Sequence, residues 1–520
     1  MRRKIVYVPL DERPCNDAFP ALLAEGTDIH LVRPEAGLLG LKKRPAPVDG
    51  LWQWLLHEAA DADGVILSLD MLLYGGIIPS RLHTQSAEAC AERLEGLKRL
   101  KARNPRLTVF AFQLIMRCPR YSSSDEEPDY YEHWGKDIFR TGYIRHKLDA
   151  GVASEEERAE LVEIGKRLPQ PYLDDYLRRR AVNREVNRRA LSFVLDGTID
   201  FMIVPQDDSA PYGWTAIDQQ MVRSRIQELN VELRAYMYPG ADEAGCTLLA
   251  RMANLLHRRV PAVYPRFSSL QGPFVTPLYE DRLLYESLKY HILAAGGMLA
   301  ESAVDADLVL LVNTPGQTMA EAEVQSAPNP GYHVQRNIVE LAEYAHYALD
   351  RLGKPCAVAD VAYANGADLQ LVKLLRQKGL LFRLAGYAGW NTSSNTMGTV
   401  LAQSMLCLIY GHTARHNDFL ALRYTEDAGY CAYVRSKVTE GAVKELGLSY
   451  FGVDGTRGRV ASIVAAELSH FVREHVDDGR HRVVIEDCWL PWNRMFEVGL
   501  TVRLDTLPPL PPDRQAQGTG

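Results

Sequence analysis

The chain has 520 residues, is 47% hydrophobic and 24% charged, and carries a formal net charge of −7 with a pI near 6.1. This is ordinary globular composition with apolar residues enough for a sizeable core, and it excludes a broadly basic surface built for a phosphate backbone. Length alone allows about three domains at roughly 150 residues each, but one α/β barrel with insertions passes ~400 residues on its own.

At the N-terminus, Met1-Arg2-Arg3-Lys4 leads only into the short apolar run 5–10 and then Asp11. A secretory signal needs about 7–15 apolar residues and a small-residue cleavage site, and no window reaches the ~18 apolar residues of a membrane span. The eight cysteines (Cys15, Cys90, Cys118, Cys246, Cys356, Cys407, Cys431 and Cys488) are scattered without a Cys-x-x-Cys pair, against a zinc ribbon or a disulfide framework. The basic run Arg178-Arg179-Arg180 follows Asp174-Asp175 and reads as a solvated helix face. The expectation is a reduced, cytoplasmic protein with no membrane and no nucleic-acid partner.

Along the chain, short runs rich in Val, Ile and Leu alternate with longer amphipathic stretches. That pattern suits parallel strands buried on both faces, with helices as crossovers. Strands are predicted over residues 4–9, 64–69, 107–113, 199–205, 233–238, 307–312, 356–361 and 381–387, with a weaker ninth at 261–264. Helices are predicted over 48–60, 87–103, 216–230, 245–258, 277–295, 334–352 and 368–378. Eight β–α units suit a closed (β/α)8-type barrel better than an open doubly wound sheet. The expected fold is therefore α/β, with a barrel domain over residues 1–410. Residues 120–195, charged and aromatic (Tyr130-Tyr131, Trp134), form a helical insertion after the third strand, placed to act as a lid or wall. Residues 411–507 read as a smaller C-terminal α+β unit with a strand pair near 482–486 and 496–504, and 508–520 as a flexible tail.

In barrels the chemistry sits at the C-terminal ends of strands, and here every predicted strand ends near a carboxylate or an amide. In order these are Asp11 with Arg13, Asp70, Gln113 with Arg117, Asp207-Asp208, Asp242, Asn313, Asp360 and Trp390-Asn391. The pair Asp207-Asp208 carries the most chemistry. Two close carboxylates repel, so one keeps its proton into the range of a general acid. Neighbours in sequence suit substrate-assisted cleavage, in which one acid orients the substrate's acetamide and the other protonates the leaving group. The alternative is a pair of capping aspartates before the next helix. Trp390-Asn391 offers an indole to stack on a sugar face beside an amide donor, or else a core tryptophan beside a turn. Asp11 and Arg13 could bind hydroxyls or close the barrel mouth as an ion pair, and Asp242 with Glu243 could be acid/base groups or first-turn acids of a helix. No Gly-x-Gly-x-x-Gly follows the first strand and no Walker loop occurs. His412 and His416, four residues apart, read as ordinary histidines, and no metal or cofactor is expected.

The segments 8–16, 68–76, 205–208, 238–243, 388–396 and 490–494 together resemble a bacterial family catalogued as domain of unknown function 4127, over nearly the whole chain. That resemblance implies membership and no settled activity. A second resemblance, at the site alone, is to the substrate-assisted hexosaminidases of glycoside hydrolase family 84. Those place an Asp-Asp pair after the fourth strand and an Asn beside an aromatic near a late one. It implies that Asp207 orients the acetamide, Asp208 is the acid and Asn391 holds the substituent.

The function expected is thus a glycoside hydrolase or related carbohydrate-active enzyme with Asp207 and Asp208 catalytic. Asp11, Arg13, Asp70, Asp242, Asn313, Asp360, Trp390 and Asn391 would bind a small, sugar-like substrate. The alternatives are a metal-dependent lyase, isomerase or hydrolase using Asp11, Asp70, Asp207, Asp242 and Asp360 as oxygen ligands, or a non-catalytic sugar-binding protein. Oligomeric state is left open.

Overall fold

In the computed structural model, which describes residues 2–507, the apolar runs form parallel strands that gather into two sheets. The tail expected over 508–520 lies outside the described residues. The strands of the first sheet are β1 (Arg3–Val8), β2 (Ile29–Val32), β3 (Gly64–Ser68), β4 (Thr108–Phe112), β5 (Phe201–Gln206) and β6 (Ala235–Pro239). Further along come β7 (Ala262–Phe267), β8 (Met298–Leu299), β9 (Leu308–Asn313), the short β10 (Ala320–Glu321), β11 (Cys356–Asp360), the short β12 (Tyr363–Ala364) and β13 (Gly386–Ala388).

The sheet orders are β2-β1-β3-β4-β5-β6 and β13-β11-β9-β7-β8, with β10 and β12 as a small separate ladder. In each large sheet the chain lays its second strand outside the first and then crosses over to build the other side. This is a doubly wound order, whose reversal point opens a crevice at the strand C-termini. The closed barrel expected from the sequence is not shown. β2 runs along β1 from Arg3↔Ile29 to Val6↔Val32, on the edge through which a barrel would close. Among the described residues no ladder joins β6 to β7 or β13 to β1.

The difference has local causes. Ile29–Val32 is four residues long with His30 inside it, too short and mixed to stand out as an apolar run. Of the weak ninth run, 262–264 belong to a full strand, β7, paired to β9 from Val263↔Leu308 to Phe267↔Val312. The run 381–387 opens as a 3-10 turn, Leu381–Arg383, and only Gly386–Ala388 pairs.

Four helices lie between the two sheets: Pro14–Ala24, Ala244–Leu256, Leu284–Ala294 and Ser393–Tyr410. They share one core with Ile5, Tyr7, Ile66 and Phe110 of the first sheet and Leu308, Leu310 and Ala357 of the second. Ser393–Tyr410 is buried continuously from Ser393 to Cys407. Buried all round, it has no amphipathic stripe to mark it in the sequence. The outer face of the first sheet (Val6, Val8, Val65, Leu67) packs against residues such as Leu51, Leu94, Leu191 and Val222 from the flanking helices.

The segment 411–507 covers the outer face of the second sheet, where Leu420, Tyr424, Phe471 and Val483 meet Val309, Leu311 and Val358. Its strand pair is an antiparallel hairpin, β14 (His481–Trp489) and β15 (Gly499–Thr506). The insertion after β4 contains three helices, Tyr131–Asp149, Glu155–Arg167 and Gln170–Leu195, with a small core around Ile138, Ile164 and Tyr176. The second of them begins at Ser154, whose side chain and that of Glu157 form a reciprocal capping box. No helix among the described residues is long and apolar enough to cross a membrane.

Candidate functional site

The C-terminal ends of the strands of the first sheet face the loops after β7 and β13 across a cavity of about 320 Å3. Of the residues singled out in the sequence, Arg13, Asp207, Asp208, Asp242 and Asn391 line it, together with Arg117. Asp11, Asp70, Asn313, Asp360 and Trp390 do not line it.

Asp207 and Asp208 follow β5 directly. Successive side chains on an extended strand point to opposite faces, so both can reach one cavity only where the backbone turns. Asp208 makes that turn at φ +34°, a left-handed conformation that costs a non-glycine residue on the order of 1–3 kcal/mol. Arg81 donates from Nη2 to Asp207 Oδ2 at 2.8 Å, and Arg117 from Nη1 to Asp208 Oδ2 at 3.2 Å. Burial and the neighbouring Asp207 charge push the Asp208 carboxyl up, against Arg117 and Arg81. Arg81 is delivered by the chain reversal after β3. The helix Leu69–Tyr74 ends at Gly75 (φ +89°), whose N–H closes on Met71 O, and Gly76 (φ +133°) continues the turn. Side chains with a Cβ resist such angles.

Behind the pair, the insertion supplies Glu126 and Glu127. Arg117 holds Glu126 and Glu127 at 2.9 Å each, and Arg81 reaches both as well. Burial works against the Glu126 charge, yet Arg117, Arg494 and Arg81 hold its carboxyl well below the usual range. Arg494 comes from the segment just before β15 and also donates to Asp125 Oδ2 at 2.8 Å. The walls of the site are therefore tied together by charge-assisted bonds, the stronger kind of protein hydrogen bond.

A second network joins β1 to β6. Arg13 donates to Asp11 Oδ2 from Nε (3.0 Å) and Nη2 (2.6 Å), and to Asp242 Oδ1 from Nη2 (2.7 Å). Asn16 Nδ2 bonds both Asp11 Oδ1 (3.0 Å) and Asp242 Oδ1 (2.9 Å). The Arg13 guanidinium stacks 4.7 Å from the Trp492 ring, and Arg494 lies over the same indole at 4.6 Å. From the second sheet, Asn391 (φ +50°) donates to Asp242 Oδ2 at 3.3 Å, and Asn395 Oδ1 accepts from the amides of Ala241 and Asp242. The two sheets thus share one set of polar contacts at the cavity floor.

The other expected residues have structural work. Asp70 accepts the Leu114 N–H at 2.9 Å, and burial pushes its carboxyl up to about 7. Asn313 donates to Asp360 (2.8 Å) and Asp368 (3.1 Å), and Tyr387 Oη donates to Asp360 at 3.0 Å. This is a separate network that closes the strand ends of the second sheet. Arg336 completes it, 2.6 Å from Asp368. Trp390 is a core residue. Its Nε1 donates to Thr399 Oγ1 and its ring meets Phe19 edge-on at 5.8 Å. The five aspartates required by the metal-dependent alternative are divided among Arg13, Arg81, the Leu114 amide and this second network.

Several cavity residues carry no mark in the sequence. Glu280 lies in the cavity, accepts the Ser394 N–H at 2.8 Å and is pushed up to about 7 by burial. Tyr121, Tyr279 and Phe451 line the cavity and keep 52%, 41% and 49% of their surface exposed. Tyr121 and Phe451 stand in loops without periodicity, while Tyr279 and Glu280 fall within the helix expected over 277–295, which begins only at Leu284, so their exposure to the cavity was not evident.

Residues 5–501 match the model of a family described as protein of unknown function (DUF4127). No curated protein matches the chain.

Proposed function

The chain belongs to the DUF4127 family, and from the site it carries we propose a carbohydrate-active enzyme, a glycoside hydrolase acting on N-acetylhexosaminide-like substrates. The observation behind this reading is the pair Asp207 and Asp208 side by side on one cavity, each met by a different arginine. Asp208, whose carboxyl is raised by burial and by its neighbour, is the general acid for the leaving group. Asp207, oriented by Arg81, accepts the N–H of the substrate's acetamide. The acetamide carbonyl oxygen then attacks the anomeric carbon as the glycosidic oxygen leaves with the Asp208 proton. Asn391 stands across the cavity to hold the substituent, and Tyr121, Tyr279 and Phe451 offer apolar faces for sugar rings. All eight cysteines are free and seven are buried, which suits a reducing compartment, and we assign the enzyme to the cytoplasm.

The test is hydrolysis of chromogenic N-acetylhexosaminides and plain hexosides by the pure protein. Release from the N-acetyl series, lost in Asp208→Asn, supports the proposal; both series staying intact overturns it. The ion pairing of both aspartates favours, as a second reading, a sugar-binding protein without turnover. A sugar that raises the melting temperature yet yields no product would favour that reading.

A further inference from the structure

The helix Ser393–Tyr410 starts at the cavity and ends far from it. Cys407 lies on its last turn, twelve residues beyond Asn395, about 18 Å away at the helical rise of ~1.5 Å per residue. The chain then turns at Gly411 (φ +74°) and re-enters a helix, Ala414–Arg423. Its N-cap, Thr413, accepts the His416 N–H at 3.1 Å. This turn brings Cys407, His412 and His416 together, with one donor atom from each within 4.8 Å of the others. The two imidazoles lie 4.7 Å apart, steeply tilted at 79°.

We propose that Cys407, His412 and His416 form a three-ligand site for a thiophilic divalent ion of the zinc type, which bridges the junction of these two helices. One sulfur and two imidazole nitrogens are a donor set that selects Zn2+ among abundant divalent ions, while Mg2+ and Ca2+ prefer oxygen. His416 shows the support that metal-binding histidines use. Its Nε2 lies 3.1 Å from the Leu384 carbonyl, an acceptor only, so Nε2–H donates there and the lone pair is left on Nδ1. Cys407 and His416 are buried while His412 is exposed. The ion therefore has an entry path, and the fourth position is open to water. The site stands apart from the cavity, so it does not depend on the glycosidase reading.

The test uses the full chain, stripped with a chelator and titrated with Co2+ and then Zn2+. One equivalent of Co2+ should give the near-ultraviolet thiolate-to-cobalt absorption and visible bands of a tetrahedral site. Zn2+ should displace it and raise the melting temperature. Cys407→Ser should abolish the thiolate band. His412→Gln, at an exposed position that does not threaten folding, should weaken binding by at least about tenfold, the scale seen even for supporting residues of metal sites. Absence of the thiolate band in the wild type overturns the proposal. So does its persistence in Cys407→Ser, or an equal Zn2+ stabilisation of His412→Gln.

Discussion

The Arg13 guanidinium donates to Asp242 at 2.7 Å across 229 positions of sequence, fastening the end of β1 to the loop after β6. The same group holds Asp11, and all three side chains are buried. Removing one partner from a buried ion network leaves uncompensated charge, at a cost of about 3–5 kcal/mol. Arg13→Ala should lower the stability measured by urea unfolding by that amount, because two carboxylates would lose their counterion at once. A loss under about 1 kcal/mol, the scale of exposed pairs, would show that the network bears no such burden.

Asp208→Asn tests the chemistry at constant shape. The amide keeps an acceptor for Arg117 but supplies no acidic proton, and general acid catalysis contributes about 10²–10⁴-fold. Turnover of a chromogenic N-acetylhexosaminide should fall by that factor with the melting temperature within a few degrees of wild type. The paired variant Asp207→Asn should act more strongly on N-acetyl substrates than on any plain hexoside that is cleaved, since only the former have an acetamide to orient.

Much of this site could be read from strand ends, because a carboxylate that follows a buried parallel strand has few places to go except the crevice beyond it. Arg13, Asp207, Asp208, Asp242 and Asn391 were legible in that way. What the strand count could not convey was the pairing. Ile29–Val32 occupies the free edge of β1 with four residues and one polar side chain, so no apolar run announced it. The strands therefore divide into two doubly wound sheets, and Asn313 and Asp360 close the second sheet instead of reaching the cavity. Trp390 was ambiguous for a different reason. Adjacency to Asn391 says nothing about orientation, and the indole turns inward to Phe19 and Thr399. The bond between Arg494 and Glu126 was not legible, because the two lie 368 positions apart in sequence.

The rim aromatics give a prediction about binding alone. Phe451 lines the cavity and is half exposed, so it costs little to remove. If it supports a sugar ring, Phe451→Ala should raise KM several-fold while kcat holds, the signature of a contact made equally in ground and transition states. A matching fall in kcat with unchanged KM would instead put this ring next to the reacting bond.

Asp70 sets a pH dependence of stability whose sign is fixed. Burial raises its carboxyl from 3.8 to about 7 in the folded chain, against the Leu114 N–H and with help from the Asp207 charge. Between about pH 4 and pH 7 the folded chain therefore keeps a proton that the unfolded chain has released. Stability then falls as pH rises through that window, by at most about 1.4 kcal/mol per pH unit for one group. The contribution is complete below pH 4 and gone above pH 7. Glu280, raised by burial to about 7, acts on stability in the same direction. Asp70→Asn keeps an acceptor for the Leu114 N–H and cannot ionise. Its urea midpoint should change less between pH 4 and pH 7 than that of the wild type, and should exceed it at pH 8. Parallel pH profiles for the two proteins would mean that Asp70 is charged in the folded state, despite its burial beneath the site.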